Sequence, residues 1–237
     1  VVILSGDHIY QMDYRDMLAQ HLESEAALTI GAVEISQDES KRFGIFETDR
    51  QSRVTGFVEK PDKGPEIPGR AGRCLGSMGI YIFETDELVR RLREDDELGS
   101  ASSHDFGKDI IPRMIDEVCV MAHRFEDVHG NDEPYWRDVG TIDAYYDANL
   151  DLCNVEPMFN LYDHDWSTYT LWHNDPPAKT VFAGDDGRKA EVVDSLLCPG
   201  AVVSGAQIRR SILSNRVRVE DHAQLDGTVA FSGVRIG

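Results

Sequence analysis

Beyond about residue 190 the chain keeps a six-residue beat. Val202 and Ile208 stand six apart, and so do Val219, Leu225 and Phe231. Four residues after most of them comes a second small or branched side chain: Ala206, Ile212, Ala223 and Val229. Such a period points to a parallel β-helix, whose coils bury their apolar faces only by stacking on one another. The register slips once, between Ile208 and Val219. The tail is therefore expected to be a short stack of coils with these side chains inward.

The front of the chain has a different pattern. Val1-Val2-Ile3-Leu4 reads as a short strand buried in a parallel sheet, broken by Ser5-Gly6. Asp7 follows at the strand's carboxyl end, where α/β sheets place their ligands. It is a candidate magnesium ligand or sugar-hydroxyl acceptor; the alternative is a cap on a helical turn beginning at His8. Asp13 can cap a helix carrying Met17, Leu18 and Leu22, and Ala27–Val33 is a second buried strand. Strand, helix and strand at this length predict a βαβ unit and a parallel sheet.

Gly44–Glu47 and Val54–Val58 flank a polar turn and read as a hairpin that runs into Glu59-Lys60-Pro61. Glu59 and Lys60 form either an exposed ion pair or a sugar-hydroxyl acceptor beside a phosphate-binding charge. Residues 61–73 are a loop. Leu75–Phe83 is a strand interrupted by Gly76 and Gly79, and glycine there marks close approach of a ligand or backbone. Thr85 can cap a helix with Leu88, Val89 and Leu92 inward. Ser103–Asp109 precedes a helix containing Pro112, and for His104 and Lys108 the sequence leaves a solvated loop open beside a functional role. Val118–Ala122 is another strand, and an acidic, glycine-containing loop leads to Tyr135–Thr141. Thr141 caps a helix bearing Ile142, Tyr145, Tyr146 and Leu150, and Asp138 is a possible partner for Asp7.

Composition narrows the functions. There are 24 Lys plus Arg against 43 Asp plus Glu, a net charge of -19. That balance argues against nucleic acid or acidic membranes as partners, because their phosphates would meet like charge. A small anionic substrate can bind where local cations or a metal reverse the sign. Cys74, Cys119, Cys153 and Cys198 are far apart, with no Cys-x-x-Cys pair, and read as small buried residues of a reducing compartment. No apolar run approaches a membrane span. The chain opens inside a strand and stops within a repeat, so a piece of a longer protein, cut at both ends, is expected.

Five segments in order carry a resemblance: Ser5–Tyr10, Phe57–Pro61, Ser77–Tyr81, Ser103–Asp109 and Tyr135–Thr141. Together with the hexapeptide tail they closely resemble the ADP-glucose pyrophosphorylases, the glucose-1-phosphate adenylyltransferases of bacterial glycogen synthesis. The resemblance implies an α/β fold, with a Rossmann-like (GT-A-like) nucleotidyltransferase mixed sheet followed by the start of a left-handed parallel β-helix. It implies a catalytic domain over 1–153, a linker over 154–189 and an incomplete β-helix domain over 190–237. Asp7 and Asp138 would hold the catalytic magnesium, and Lys60 would grip the phosphate of glucose 1-phosphate. Glu59, Ser77, Gly79, Asp105 and Phe106 would line the sugar pocket. Gly44 would let backbone approach the sugar, and Trp136 would support the site. ATP and glucose 1-phosphate are the implied substrates of a cytoplasmic homotetramer with small-molecule allosteric effectors. The family's Gly-rich, ATP-wrapping signature lies outside this chain. Two rivals are a non-catalytic regulatory subunit of the same family and a hexapeptide acyltransferase, for which His222 is the one histidine within the coils.

Overall fold

The computed structural model describes residues 1–129, 134–171, 173–181 and 187–237. Part of the acidic loop expected before Tyr135 (130–133) and part of the expected linker (172 and 182–186) lie outside the described residues. In chain order the first elements are β1 (Val2–Ile3), β2 (His8–Tyr10), α1 (Tyr14–Glu23), β3 (Leu28–Ser36), β4 (Gly44–Thr48), β5 (Val54–Glu59) and β6 (Arg73–Phe83). Then follow α2 (Thr85–Asp96), α3 (Ile111–Glu117), β7 (Val120–Arg124), β8 (Trp136–Asp138) and α4 (Ile142–Asp151). The described residues form two units, one of 1–6 with 11–136 and one of 7–10 with 137–237.

The first unit is a mixed sheet in the order β5-β4-β6-β3-β7, with β1 also on β6. β3 and β7 are parallel and the other pairs antiparallel. Alternation along β3 explains its double burial. Leu28, Ile30 and Ala32 join Leu88 of α2 and Ile111 and Met114 of α3 in one core. From the intervening positions, Thr29 Oγ1 lies 2.9 Å from His21 Nδ1 of α1. A strand covered on both faces needs the near-continuous apolar run seen in its sequence.

Several expectations need correction. The opening strand is not buried in a parallel sheet. β1 is two residues long and antiparallel to β6, and Val1, Val2 and Leu4 are about half exposed. A short apolar run does not reveal whether a strand is central or marginal. β1 and β3 do run parallel, but each pairs with β6 and not with the other. On α1 the buried pair is Met17 and His21, while Leu18 and Leu22 face solvent. On α2 the residue before the helix is Glu84, which makes no side-chain cap, and the buried side chains are Leu88, Arg91 and Asp95. Val89 and Leu92 are exposed. Arg91 turns inward because Glu87 and Glu117, each 2.7 Å away, compensate its charge.

The two glycines do not interrupt β6, which runs unbroken for 11 residues. They shape it. Ile30 faces Tyr81 while Ala32 faces Ser77, so β6 bulges outward around Gly79, whose φ is +68°. Gly76 leaves room for Phe43, whose ring lies 3.2 Å from where a Cβ would stand.

The second unit contains β9 (Lys179–Val181), β10 (Glu191–Val193), β11 (Leu196–Leu197), β12 (Val202–Ser204), β13 (Gln207–Arg209) and β14 (Ile212–Leu213). It ends with β15 (Arg218–Val219), β16 (Gln224–Asp226), β17 (Val229–Ala230) and β18 (Arg235–Ile236). They form three parallel stacks: β10-β13-β16, β11-β14-β17 and β9-β12-β15-β18. This is a parallel β-helix with three short faces per coil. Its coils reach back to Lys179, inside the stretch expected as linker; a three-residue strand is too short to show a period.

The inward ladders are Val192, Ile208 and Leu225; Leu197, Leu213 and Ala230; and Val203, Val219 and Ile236. Successive coils therefore take sixteen and then seventeen residues, and inward positions fall five or six apart. That variable spacing explains the register slip and corrects two assignments. Val203, not Val202, points fully inward, and Phe231 is 61% exposed while Ala230 fills the core. Phe231 instead meets Tyr145 of α4, with ring centroids 6.3 Å apart. α4 is also held by the Tyr146 hydroxyl, which donates to the Gly227 carbonyl at 2.5 Å. Thr141 caps α4 as expected, accepting from Ala144 N–H at 3.2 Å, but Ile142 is 87% exposed.

Each coil turns its corners with left-handed residues at repeating places: Asp194, Arg210 and Gly227; Gly200, Arg216 and Gly233; Gly205 and His222. Where the middle coil uses arginine, the backbone is strained. Arg210 has φ +42°, and its side chain is exposed. Left-handed backbone costs a non-glycine residue about 1–2 kcal/mol, partly offset by the entropy that glycine loses on folding. Arg210→Gly should therefore raise the unfolding free energy by about 0.5–1 kcal/mol in urea titration. An unchanged or lowered midpoint would contradict the strain assigned to this corner. Leu213→Ala, which empties a fully buried ladder position, should cost about 2–5 kcal/mol.

Candidate functional site

In the first unit the chemistry-bearing residues gather where β5, β6 and the turn before α3 come together. β4 and β5 pair so that Gly44 faces Glu59. A Cβ on Gly44 would stand 2.2 Å from the Phe57 ring and 2.9 Å from Glu59 Oε2. Gly107 offers the same clearance from the other side, at 3.2 Å from Glu59 Oε2 and 3.5 Å from Phe57. Two glycines thus make a slot that holds the Phe57 ring and the Glu59 carboxylate. The space that Gly44 leaves is filled by these side chains.

Asp105 Oδ1 accepts from Gly107 N–H at 2.8 Å and Lys108 N–H at 3.0 Å, closing a tight turn over Phe106–Ile110 that leads into α3. Phe106 packs on Tyr81 and Phe83, with centroids 5.5 and 5.6 Å away. Tyr81 ties the group together. Burial pushes its phenol up, a hydrogen bond with Ser77 pulls it back, and the Asp105 and Glu59 carboxylates add to the rise. Ser77 Oγ also accepts from Gly79 N–H at 3.4 Å across the bulge. Phe106 and Ser77 therefore contact Tyr81, Gly79 is tied to Ser77, and the Glu59 and Asp105 carboxylates lie close enough to act on the phenol electrostatically. Tyr81 is the member that the sequence reading missed. Its signal was available: four positions after Ser77 on a strand, it lies on the same face.

Lys60 sits at the end of β5. Its N–H donates to the Phe43 carbonyl at 2.9 Å, and Nζ lies 3.6 Å from Glu59 Oε1. That side chain is 60% exposed, so the ion pair adds little stability. Its φ of +49° is unusual for lysine, and such strain concentrates at functional sites. Trp136 stacks at a tilt on Phe43, centroids 5.2 Å apart, and Phe43 in turn covers Gly76.

The second unit carries a different group. His8 begins a strand and not a helical turn, so Asp7 is not a helix cap. β2 pairs with β8, and Val139 N–H donates to the Asp7 carbonyl at 2.9 Å. Asp138 Oδ1 accepts from Gly140 N–H at 2.8 Å. Asp7, His8 and Asp138 bring one potential ligand atom each to within 4.8 Å of the others. Both carboxylates crowd Gly140, where a Cβ would lie 3.0 Å from Asp138 Oδ1 and 3.2 Å from Asp7 Oδ2. Two carboxylates at this spacing repel unless a cation lies between them, and their hard oxygen donors suit a divalent ion such as magnesium. His8, with Nε2 3.6 Å from Asp7 Oδ1, is a neighbour that sequence reasoning left out.

Gly140→Ala tests this crowding. The methyl group would push flexible carboxylate tips by a few tenths of an ångström without unfolding the chain. Calorimetric titration with magnesium or manganese, without nucleotide, should show binding weakened about tenfold, a loss of about 1.4 kcal/mol. Unchanged affinity would mean that the two carboxylates do not share the ion.

Comparison with known proteins extends these observations. The nucleotidyl transferase family model matches residues 1–155, and a GlmU-like C-terminal hexapeptide model matches residues 176–237. The chain is 45% identical over 240 residues to the glucose-1-phosphate adenylyltransferase of Dechloromonas aromatica, covering 100% of this chain and 54% of that protein. It is 47% identical over 235 residues to the enzyme of the same name from Granulibacter bethesdensis, covering 98% of this chain and 56% of that one. Glucose-1-phosphate adenylyltransferase 2 of Alkalilimnicola ehrlichii is 47% identical over 236 residues, covering 100% and 55% respectively. The chain thus spans about half the length of the curated relatives it matches. With the family model extending over most of its length, across the mixed sheet and the Asp7 and Asp138 motifs, this chain belongs to the nucleotidyl transferase family.

Proposed function

We propose that the protein is a glucose-1-phosphate adenylyltransferase, converting ATP and α-D-glucose 1-phosphate to ADP-glucose and pyrophosphate in glycogen biosynthesis. The observation that carries this reading is the convergence of Asp7 and Asp138 on Gly140, a pair of oxygen donors that asks for a divalent cation. The names of the relatives supply the substrates. Magnesium bound at Asp7 and Asp138 would neutralise phosphate charge. In the first unit, Glu59 and Asp105 offer acceptors for sugar hydroxyls, Phe106 and Tyr81 give the ring an apolar wall, and Lys60 presents a cation to the sugar phosphate.

A phosphate oxygen of the sugar attacks the α-phosphorus of ATP in line, and the bond to pyrophosphate breaks. Such a displacement needs positioning and charge neutralisation more than covalent help from the protein. Retention of Asp7, Lys60 and Asp138 favours a catalytic chain over a regulatory one. The acyltransferase alternative would rest on His222, whose φ of +67° marks it as a corner residue of the coils. On the same reading the protein acts as a cytoplasmic homotetramer under small-molecule allosteric control. No helix among the described residues is long and apolar enough to cross a membrane.

Lys60 provides the test. A charged hydrogen bond to phosphate contributes about 1.5–3 kcal/mol, so Lys60→Ala should raise the KM for glucose 1-phosphate about 10- to 150-fold. The KM for ATP should stay within about twofold. Equal losses for both substrates would remove Lys60 from the sugar-phosphate site.

A further inference from the structure

Beside the Asp105–Phe106 turn stands a clasp built on Asp95. Asp95, on the last turn of α2, is buried. Its Oδ1 accepts from the Ser102 hydroxyl at 2.6 Å, and its Oδ2 lies 2.6 Å from His104 Nδ1. Arg113 of α3 approaches the same carboxylate, with Nη1 3.8 Å from Oδ1. His104 N–H donates to Ser102 Oγ at 3.0 Å, and its φ is +57°, a left-handed kink immediately before Asp105. A second carboxylate closes the other side. Asp109 Oδ2 accepts from the Ser103 and Asp105 N–H groups at 3.1 Å and from the Ser103 hydroxyl at 2.6 Å.

The sequence admits a solvated histidine in a polar loop. The structure leaves the ring half exposed and ties it to a buried acid on a packed helix. A left-handed, non-glycine residue persists where its surroundings over-determine it. Here the ring contact provides that surplus, because a buried carboxylate is costly unless partnered. We propose that His104 is a positioning residue, and that its clasp on Asp95 fixes the direction in which the chain presents Asp105 and Phe106 to the sugar. The inference rests on reading those two residues as part of the sugar pocket.

The groups facing His104 define its pH behaviour. Asp95 and Asp96 from α2 and Asp109 from the following turn are acidic, and Arg113 of α3 approaches Asp95 at 3.8 Å. The hydrogen bond to Asp95 raises the imidazole above its usual range, with partial desolvation opposing. A raised histidine stabilises the fold fully below its unfolded pKa of about 6.5, and that contribution is lost as pH rises through the folded value. The turn should therefore be held most firmly on the acid side of neutrality and loosen as the ring deprotonates.

Three variants of the full-length protein separate backbone from side chain. His104→Gly keeps the left-handed kink and loses the clasp. His104→Asn keeps the kink and a side-chain donor toward Asp95, and His104→Ala loses both. Amide exchange over residues 103–109 should be at least tenfold faster in the Gly and Ala variants and close to wild type in the Asn variant. The KM for glucose 1-phosphate should rise about tenfold in the Gly and Ala variants, with the KM for ATP unchanged, and should be restored by Asn. In wild type that KM should climb as pH rises through the histidine titration, and in the Gly variant the climb should disappear. Exchange or KM in the Gly variant equal to wild type would overturn the proposal. So would faster exchange with an unchanged KM in an active enzyme. If wild type itself fails to use glucose 1-phosphate, the functional reading fails and with it the assigned target, while the exchange data still report whether the clasp exists.

Discussion

The first unit depends on one long strand. β6 pairs with β3 on one side and with β4 and β1 on the other, so most of the sheet is registered through it. A strand with partners on both edges cannot slip without turning its side chains to the wrong face. The bulge at Gly79 is therefore a fixed feature of the sheet. It adds residues to β6 while leaving Ser77 and Tyr81 on one side. From there Tyr81 meets Phe106, while Gly107 lets the turn before α3 close on Glu59 and Phe57 of β5. The candidate sugar pocket is thus assembled by sheet register more than by any single contact.

Glycine does a related task wherever charge must be crowded. Gly44 and Gly107 clear a slot for the Glu59 carboxylate, and Gly140 lets the Asp7 and Asp138 carboxylates converge. In a chain of net charge -19, acidic groups held this closely raise local repulsion. A divalent cation between Asp7 and Asp138, as proposed above, would relieve that repulsion. Two histidines of the first unit have structural partners: His21 lies between Thr29 and Glu84, His123 contacts Gln20 at 2.6 Å, and burial pushes both imidazoles down.

The order of motifs carried most of what was legible in the sequence. Motifs such as Glu59-Lys60-Pro61 and Ser77–Tyr81 reflect local backbone demands, and local demands leave a local trace. The hairpin of β4 and β5, the cap at Thr141 and the coiled tail were readable for the same reason. What was hidden depends on distant partners. Arg91 is buried because Glu117 comes back from another helix, so no period on α2 could reveal it. Phe231 sits on the six-residue beat yet faces out, because coils of sixteen and seventeen residues move the inward position by one. β1 reads as buried because four apolar residues look alike in a central and a marginal strand. The Asp95–His104 contact links residues nine apart through a loop whose left-handed kink leaves no local pattern.

The proposed reaction yields a nucleotide sugar and pyrophosphate. The most direct measurement is pyrophosphate release by the full-length protein with glucose 1-phosphate and magnesium, comparing ATP, UTP, dTTP and GTP as donors. The account predicts release with ATP at rates well above the other three, and none when the metal is chelated. Preference for another nucleotide, or release that persists without divalent metal, would contradict it.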